Sequence, residues 1–161
     1  MHYAQIRKYD VANGEGIRTT LFVSGCKFNC PGCFNKEYQN FNYGNEWTKE
    51  VEDSFIELGK DENVSGYSIL GGEPLMQDKD TMINLLNRIK NETGKSIWMW
   101  TGFTLDSLSR DQLEIVKYVD VLIDGLFVED LKDLRLAWRG SKNQNIYKKN
   151  KTGDWINTTD N

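Results

Sequence analysis

The sequence predicts an α/β fold whose mainly parallel sheet curls toward an open, partial (β/α) barrel. Three observations carry this expectation. Short apolar runs alternate with segments of helical spacing, the connections between them are short, and glycines or polar residues punctuate their ends. Strands that alternate with helices build parallel sheets through right-handed crossovers. The chain has 161 residues, 39% of them hydrophobic, enough for one sizeable core, so a single domain over 1–161 is the economical reading.

The elements follow in order. Leu21, Phe22 and Val23 form a continuous apolar run, which predicts a strand over 19–24 buried on both faces. Thr48 is a candidate N-cap for a helix to about 60, because Val51, Phe55 and Leu58 recur at helical spacing and Glu50 and Glu52 suit its first turn. A strand over about 66–70 runs into Gly71-Gly72. A second helix over about 79–93 places Met82, Leu85, Leu86 and Ile89 on one face and stops at Gly94. Residues 96–101 read as a strand, 109–117 contain a short helix, and 119–124 form a further strand rich in β-branched residues. The polar end from Ser141 is poor in core residues and reads as partly mobile.

The net charge of −4 and the acidic isoelectric point near 5.1 argue against a surface that wraps nucleic acid. The charge is uneven, however. From about residue 135 the chain turns basic: Arg135, Arg139, Lys142, Lys148, Lys149 and Lys151 stand without an intervening acid, and a docking surface for an acidic face of a partner is one use for them. No apolar run approaches a membrane span and the start has no basic-then-apolar leader pattern, so a cytoplasmic location with no membrane association is expected.

Only three cysteines occur, Cys26, Cys30 and Cys33, in a C-x3-C-x2-C spacing too tight for a disulfide framework. Thiolates are the usual ligands of a four-iron cubane, so three of them leave one iron open to an exogenous ligand. Two other readings stand beside this one. A closed structural zinc site would need a fourth ligand, and the sole histidine, His2, would have to reach in from the start of the chain. A non-catalytic electron-transfer module would normally close its fourth iron with protein.

With this spacing after its first strand, the chain resembles the radical S-adenosylmethionine superfamily, and the fold implied is a partial (β/α) barrel of that type. The resemblance makes Cys26, Cys30 and Cys33 the ligands of a [4Fe-4S] cluster whose open iron is chelated by S-adenosylmethionine. One electron from the cluster would then split the cofactor into methionine and a 5′-deoxyadenosyl radical. Gly71-Gly72-Glu73-Pro74 resembles the second motif of the superfamily, which binds the methionine amino group. Thr101 and Asp124 end later strands on the same rim and are candidate cofactor contacts; for Asp124 the functional reading is hydrogen bonds from ribose hydroxyls or a charge pair near the site, and the plain one an Asp-Gly turn. Gly32 stands where the superfamily often has a bulky residue against adenine, which leaves that contact to Gly32, Cys33 and Phe34.

Several stretches narrow the resemblance: NGEGIRTTLFVSGC at 13–26, CPGCFN at 30–35, WMWTGF at 98–103, VDVLIDGLF at 119–127 and WRGSKNQ at 138–144. Together they resemble the activating enzymes of anaerobic ribonucleotide reductases, which take a hydrogen atom from a glycine of the reductase. The partners this implies are the catalytic subunit of such a reductase and an electron donor, reduced flavodoxin or a similar carrier. An activator of another glycyl-radical enzyme, or a small-molecule radical enzyme, is the alternative of the same chemistry.

Overall fold

The alternating segments fold as eight strands and three α-helices: β1 (His2–Asp10), β2 (Arg18–Ser24), β3 (Asn45–Glu46), α1 (Lys49–Leu58), β4 (Gly66–Gly71), α2 (Lys79–Thr93), β5 (Ser96–Trp100), α3 (Arg110–Val116), β6 (Val121–Asp124), β7 (Asn145–Lys149) and β8 (Trp155–Asn157). The computed structural model describes residues 1–159; residues 160–161 of the expected domain lie outside the described residues. All eight strands join one sheet in the order β3-β1-β2-β4-β5-β6-β7-β8.

The expected mainly parallel sheet is corrected to a mixed one. Its centre, β2-β4-β5-β6, is parallel throughout, but the four outer pairings, β1 with β2 and β3, and β7 with β6 and β8, are antiparallel. The reason is the connections. Parallel neighbours need a crossover of a dozen or more residues, and only β2, β4, β5 and β6 are joined through α1, α2 and α3. The flanking strands, absent from the sequence reading, lack long apolar runs, and the connections that lead from β1 to β2, from β6 to β7 and from β7 to β8 carry no α-helix. Residues 141–159, expected to be partly mobile, supply β7 and β8 and bury Ile146.

Helix ends follow local chemistry. Thr48 caps α1 by accepting from Val51 N at 3.2 Å, and Asp78 caps α2 by accepting from Thr81 N at 3.0 Å. Gly94 ends α2 with φ +66°, where a side chain would be strained. Alternate strand residues separate two faces. Leu21, Val23, Ile69, Ile97, Met99 and Leu122 pack under the helices against Phe55, Leu85, Leu86 and Ile115. On the opposite face Trp98, Val121, Ile123 and Ile146 form a smaller cluster with Trp100 and Trp138 against it.

That second face also buries a cation. Arg18 is 1% exposed, and its guanidinium donates to Ser68 Oγ, Tyr67 O and Ser96 O at 2.9 Å and to Glu15 O at 3.1 Å, over the Trp98 ring. Burial lowers its pKa to about 10, with Asp120 and Glu15 opposing the shift, so it stays charged at neutral pH. Part of the basic segment is likewise engaged within the chain. Lys149 Nζ donates to Val116 O and Lys117 O at the end of α3, at 3.1 and 2.6 Å, and Arg135 pairs with Asp133.

Candidate functional site

The cysteine loop leaves β2 at Ser24 and is pinned on two sides by backbone. Gly25 N donates to Tyr38 O at 2.7 Å and Cys26 N to Gln39 O at 3.0 Å. From the β4 side, Gly72 N donates to Val23 O and Glu73 N to Gly25 O, both at 2.8 Å. Cys33 N closes a turn onto Cys30 O at 3.1 Å. All three cysteines are free, half-buried, and line one cavity of about 520 Å³, within the usual range for small-molecule sites.

The cavity lies at the carboxyl ends of the parallel strands, where ligands gather in such sheets. Its wall joins Phe22 of β2, Leu70 to Glu73 at the end of β4, Trp100 to Gly102 at the end of β5, and Gly125 to Phe127 after β6. Phe28, Phe34 and Trp138 add aromatic surface, and Arg7 and Arg139 are its cations. The donor set suits an iron–sulfur cluster: three soft thiols and no fourth, beside open cavity volume. Among the described residues, no three His, Cys, Asp or Glu side chains converge on a single-ion site. A cubane asks for no such convergence, because each thiolate binds a different iron. His2 lies across the sheet from Ser24 and is not among the lining residues. Burial raises the pKa of Cys26 and of Cys30, so in the metal-free protein both favour the thiol, and loading would release protons.

The glycines of the GGEP turn have a packing role that the sequence reading did not contain. Gly71 has φ +115°, and a Cβ there would stand 2.5 Å from Val23 O. A Cβ on Gly72 would meet Gly25 O at 2.6 Å and Tyr38 O at 2.8 Å. Both residues line the cavity, yet their close approach is to the backbone of β2 and the cysteine loop. Glu73 joins two strand ends. Its carboxylate, 1% exposed, accepts from Gly102 N at 2.6 Å, Thr101 Oγ1 at 2.8 Å and Leu75 N at 2.9 Å. Burial raises its pKa to about 7 against those three donors.

The remaining expected residues divide. Cys33, Phe34 and Thr101 line the cavity. Gly32 does not, and its φ of +72° faces the Glu129 carboxylate, which a Cβ would meet at 2.7 Å. Asp124 is also outside the lining: it shares the helix-side parity of Leu122, and its Oδ2 accepts from Leu105 N at 2.8 Å. Sequence reasoning missed Arg7, Asn13, Trp100, Trp138 and Arg139. The WRGSKNQ stretch had singled out the last pair without a role. Here Gln144 Oε1 accepts from Gly140 N and Ser141 N, Arg139 Nη1 donates to Lys142 O and Gln144 O, and Trp138 O accepts from Trp100 Nε1 at 2.6 Å. Trp138 has φ +66°, a left-handed conformation that is costly for a bulky residue and is held by these bonds.

Comparison with known proteins agrees with this arrangement. The family model of the 4Fe-4S single cluster domain matches residues 12–147. The chain is 46% identical over 151 residues to the anaerobic ribonucleoside-triphosphate reductase-activating protein of Escherichia coli (strain K12), covering 91% of this chain and 98% of the relative. Proteins of the same name from Vibrio cholerae and Enterobacteria phage T4 are 41% and 36% identical, over 92% and 96% of this chain and 98% of each relative. By its cysteine loop, its match to the cluster-domain model and its likeness along nearly the whole of these relatives, the chain belongs to the 4Fe-4S single cluster domain family and, within it, to the anaerobic ribonucleoside-triphosphate reductase-activating proteins.

Proposed function

We propose that this protein is the activating enzyme of an anaerobic, glycyl-radical ribonucleotide reductase, a single domain built around a partial (β/α) barrel of the radical S-adenosylmethionine type. The observation that carries the reading is that the chain's only three cysteines line one cavity at the carboxyl ends of its parallel strands. Cys26, Cys30 and Cys33 would hold three irons of a [4Fe-4S] cluster. When bound, the cluster and S-adenosylmethionine supply one-electron cleavage of the cofactor to methionine and a 5′-deoxyadenosyl radical, which takes a hydrogen atom from a glycine of the reductase and leaves 5′-deoxyadenosine.

The chain's own residues do the positioning. The GGEP turn is locked to the end of β2 through Gly72 N and to the cysteine loop through Glu73 N, so the thiols and the cofactor's seat keep one geometry. Phe22, Phe28, Phe34, Trp100 and Trp138 line the cavity with aromatic surface that excludes water. Glu73 holds the ends of β4 and β5 together under that surface. Reduced flavodoxin, or a similar low-potential carrier, is the proposed electron source.

The test is anaerobic reconstitution followed by reduction with dithionite. Protein loaded with iron and sulfide should convert S-adenosylmethionine to 5′-deoxyadenosine and give a glycyl-radical EPR signal on the reductase catalytic subunit. Cys26→Ala, Cys30→Ala and Cys33→Ala should each abolish both. A stoichiometric zinc site with no cluster obtainable would overturn the reading.

A further inference from the structure

The cysteine loop and the GGEP turn meet at one buried side-chain amide. Gln77 follows a single turn of 3-10 helix, Pro74–Met76, that the GGEP motif leads into, and it is 8% exposed. Its Nε2 donates to Glu73 O at 3.0 Å and to Gly25 O at 3.3 Å. Two carbonyl oxygens facing one atom identify that atom as the nitrogen, and each hydrogen of the NH2 group has its own acceptor. Gln77 is not among the residues that line the cavity.

Both acceptors stand at positions that matter to the proposed site. Gly25 immediately precedes Cys26, and Glu73 is the acid of the GGEP turn. Glu73 N already reaches Gly25 O at 2.8 Å, and Met76 N reaches Glu73 O at 3.1 Å. The amide closes a ring with the first of these bonds, because it ties Gly25 O back to Glu73 O. One hydrogen bond lets two segments pivot about it. A second donor on the same carbonyl, held by the other segment, removes that freedom.

Met76 adds a further hold, since its Sδ accepts from Lys27 N at 3.2 Å. With Gly25 N on Tyr38 O and Cys26 N on Gln39 O, the backbone N–H groups of Gly25, Cys26 and Lys27 are all engaged. Between Phe28 and Phe34, by contrast, the one backbone–backbone bond among the described residues is the loop's own turn, Cys33 N to Cys30 O at 3.1 Å. Of the three thiols, Cys26 is therefore the one whose place relative to the GGEP turn the chain itself fixes.

We propose that Gln77 is a positioning residue for cofactor cleavage: its amide staples the start of the cysteine loop to the turn that seats S-adenosylmethionine, and so keeps Cys26 in register with that seat. The inference rests on the proposed function and adds to it a residue outside the cavity lining. Partners of this kind, one step removed from a metal ligand, orient the ligand without touching the metal.

The experiment separates positioning from binding and from folding. Gln77→Met keeps the length and burial of the side chain and removes the donor, while Gly25 O and Glu73 O each keep a backbone donor, so neither is left unpaired. The full chain should fold and load with the cluster absorbance of the parent. In dithionite-driven 5′-deoxyadenosine formation its kcat should fall about tenfold with KM for S-adenosylmethionine changed by less than about threefold, as for misplacement of groups that still bind. Amide hydrogen exchange of residues 25–27, measured before loading, should quicken while that of α2 stays as in the parent. In Gln77→Glu a protonated carboxyl supplies one hydrogen and an ionised one repels both carbonyls, so its rate relative to the parent should rise as pH falls. The ratio is the quantity to read because Glu73 titrates in both proteins. Parental kcat in folded Gln77→Met, or a rise in KM alone, would overturn the proposal; should that variant not fold, a pH-independent ratio for Gln77→Glu would do so. Absence of 5′-deoxyadenosine from the parent would instead overturn the proposed function, and exchange at residues 25–27 would still decide whether the amide holds the loop.

Discussion

The helix-covered face of the central strands and the cavity face of the same strands are built from opposite materials. Under the helices, Leu21, Ile69, Met99 and Leu122 are fully buried aliphatic side chains against α1, α2 and α3. On the cavity side the intervening positions hold Arg18, Thr20, Ser68, Phe22, Trp98 and Trp100, a mixture of charge, hydroxyl and aromatic ring. One face is close-packed and earns its stability from area removed from water. The other keeps volume and polar groups that a fold alone would not choose. The difference teaches where changes should cost stability and where they should cost chemistry.

The largest stability loss is expected on the helix side. Phe55 is fully buried, with its ring 5.8 Å from Trp47 and 5.4 Å from Tyr67. Phe55→Ala should cost about 3–5 kcal/mol in urea unfolding, as a large cavity in a packed core does. Phe22→Ala on the other face should cost clearly less, because that ring already borders open volume. Equal losses would break the comparison.

An intermediate effect is expected where the cavity face meets the sheet. In Arg18→Met the carbonyls of Glu15, Tyr67 and Ser96 lose their donor, for about 2–4 kcal/mol in all. Ser68 would be released too, and its hydroxyl donates to Asn13 O at 2.6 Å. Ala12 and Asn13 line the cavity, so hydrogen exchange of residues 11–17 should accelerate more than that of α2. Unchanged exchange in that loop would restrict Arg18 to the sheet.

Legibility in the sequence followed the same division. The three helices and the four parallel strands were readable because helical spacing and short continuous apolar runs record burial, as Met82, Leu85, Leu86 and Ile89 do on α2 and Leu21, Phe22 and Val23 on β2. The flanking strands were not, since β1 is half-exposed and polar and β7 and β8 gain their place only by pairing. The cysteines were readable by spacing and the GGEP turn by resemblance. Trp100 and Arg139 were not, because a residue's entry into a cavity depends on which strand ends meet, and no local pattern encodes that. Asp124 was left between two readings for the same reason: a strand-end carboxylate points to one face or the other according to parity, and its Oδ2 accepts from Leu105 N.

The smallest expected effect concerns Glu73, which bridges the two faces from inside the GGEP turn. Its carboxyl is buried beneath Leu75 N, Thr101 Oγ1 and Gly102 N, and burial raises its pKa from the ordinary 4.5 to about 7. The unfolded chain therefore ionises this group first, while the folded protein retains the proton. Between pH 4.5 and 7 the folded state binds more protons, so this contribution to stability is full below the lower value and is lost as pH rises through the upper one. Glu73→Gln cannot titrate, and its amide NH2 group would face one of the donors that the carboxylate now accepts from. At pH 5 the variant should be less stable than the parent by about 1 kcal/mol, the cost of one mismatched buried hydrogen bond. The gap should close and then change sign as pH rises toward 8, because only the parent loses the proton-linked term, which at about 1.4 kcal/mol per pH unit between 5 and 7 exceeds the initial difference. Unfolding midpoints of both proteins across that range measure it, and parallel pH profiles would show that the three donors already hold Glu73 ionised throughout.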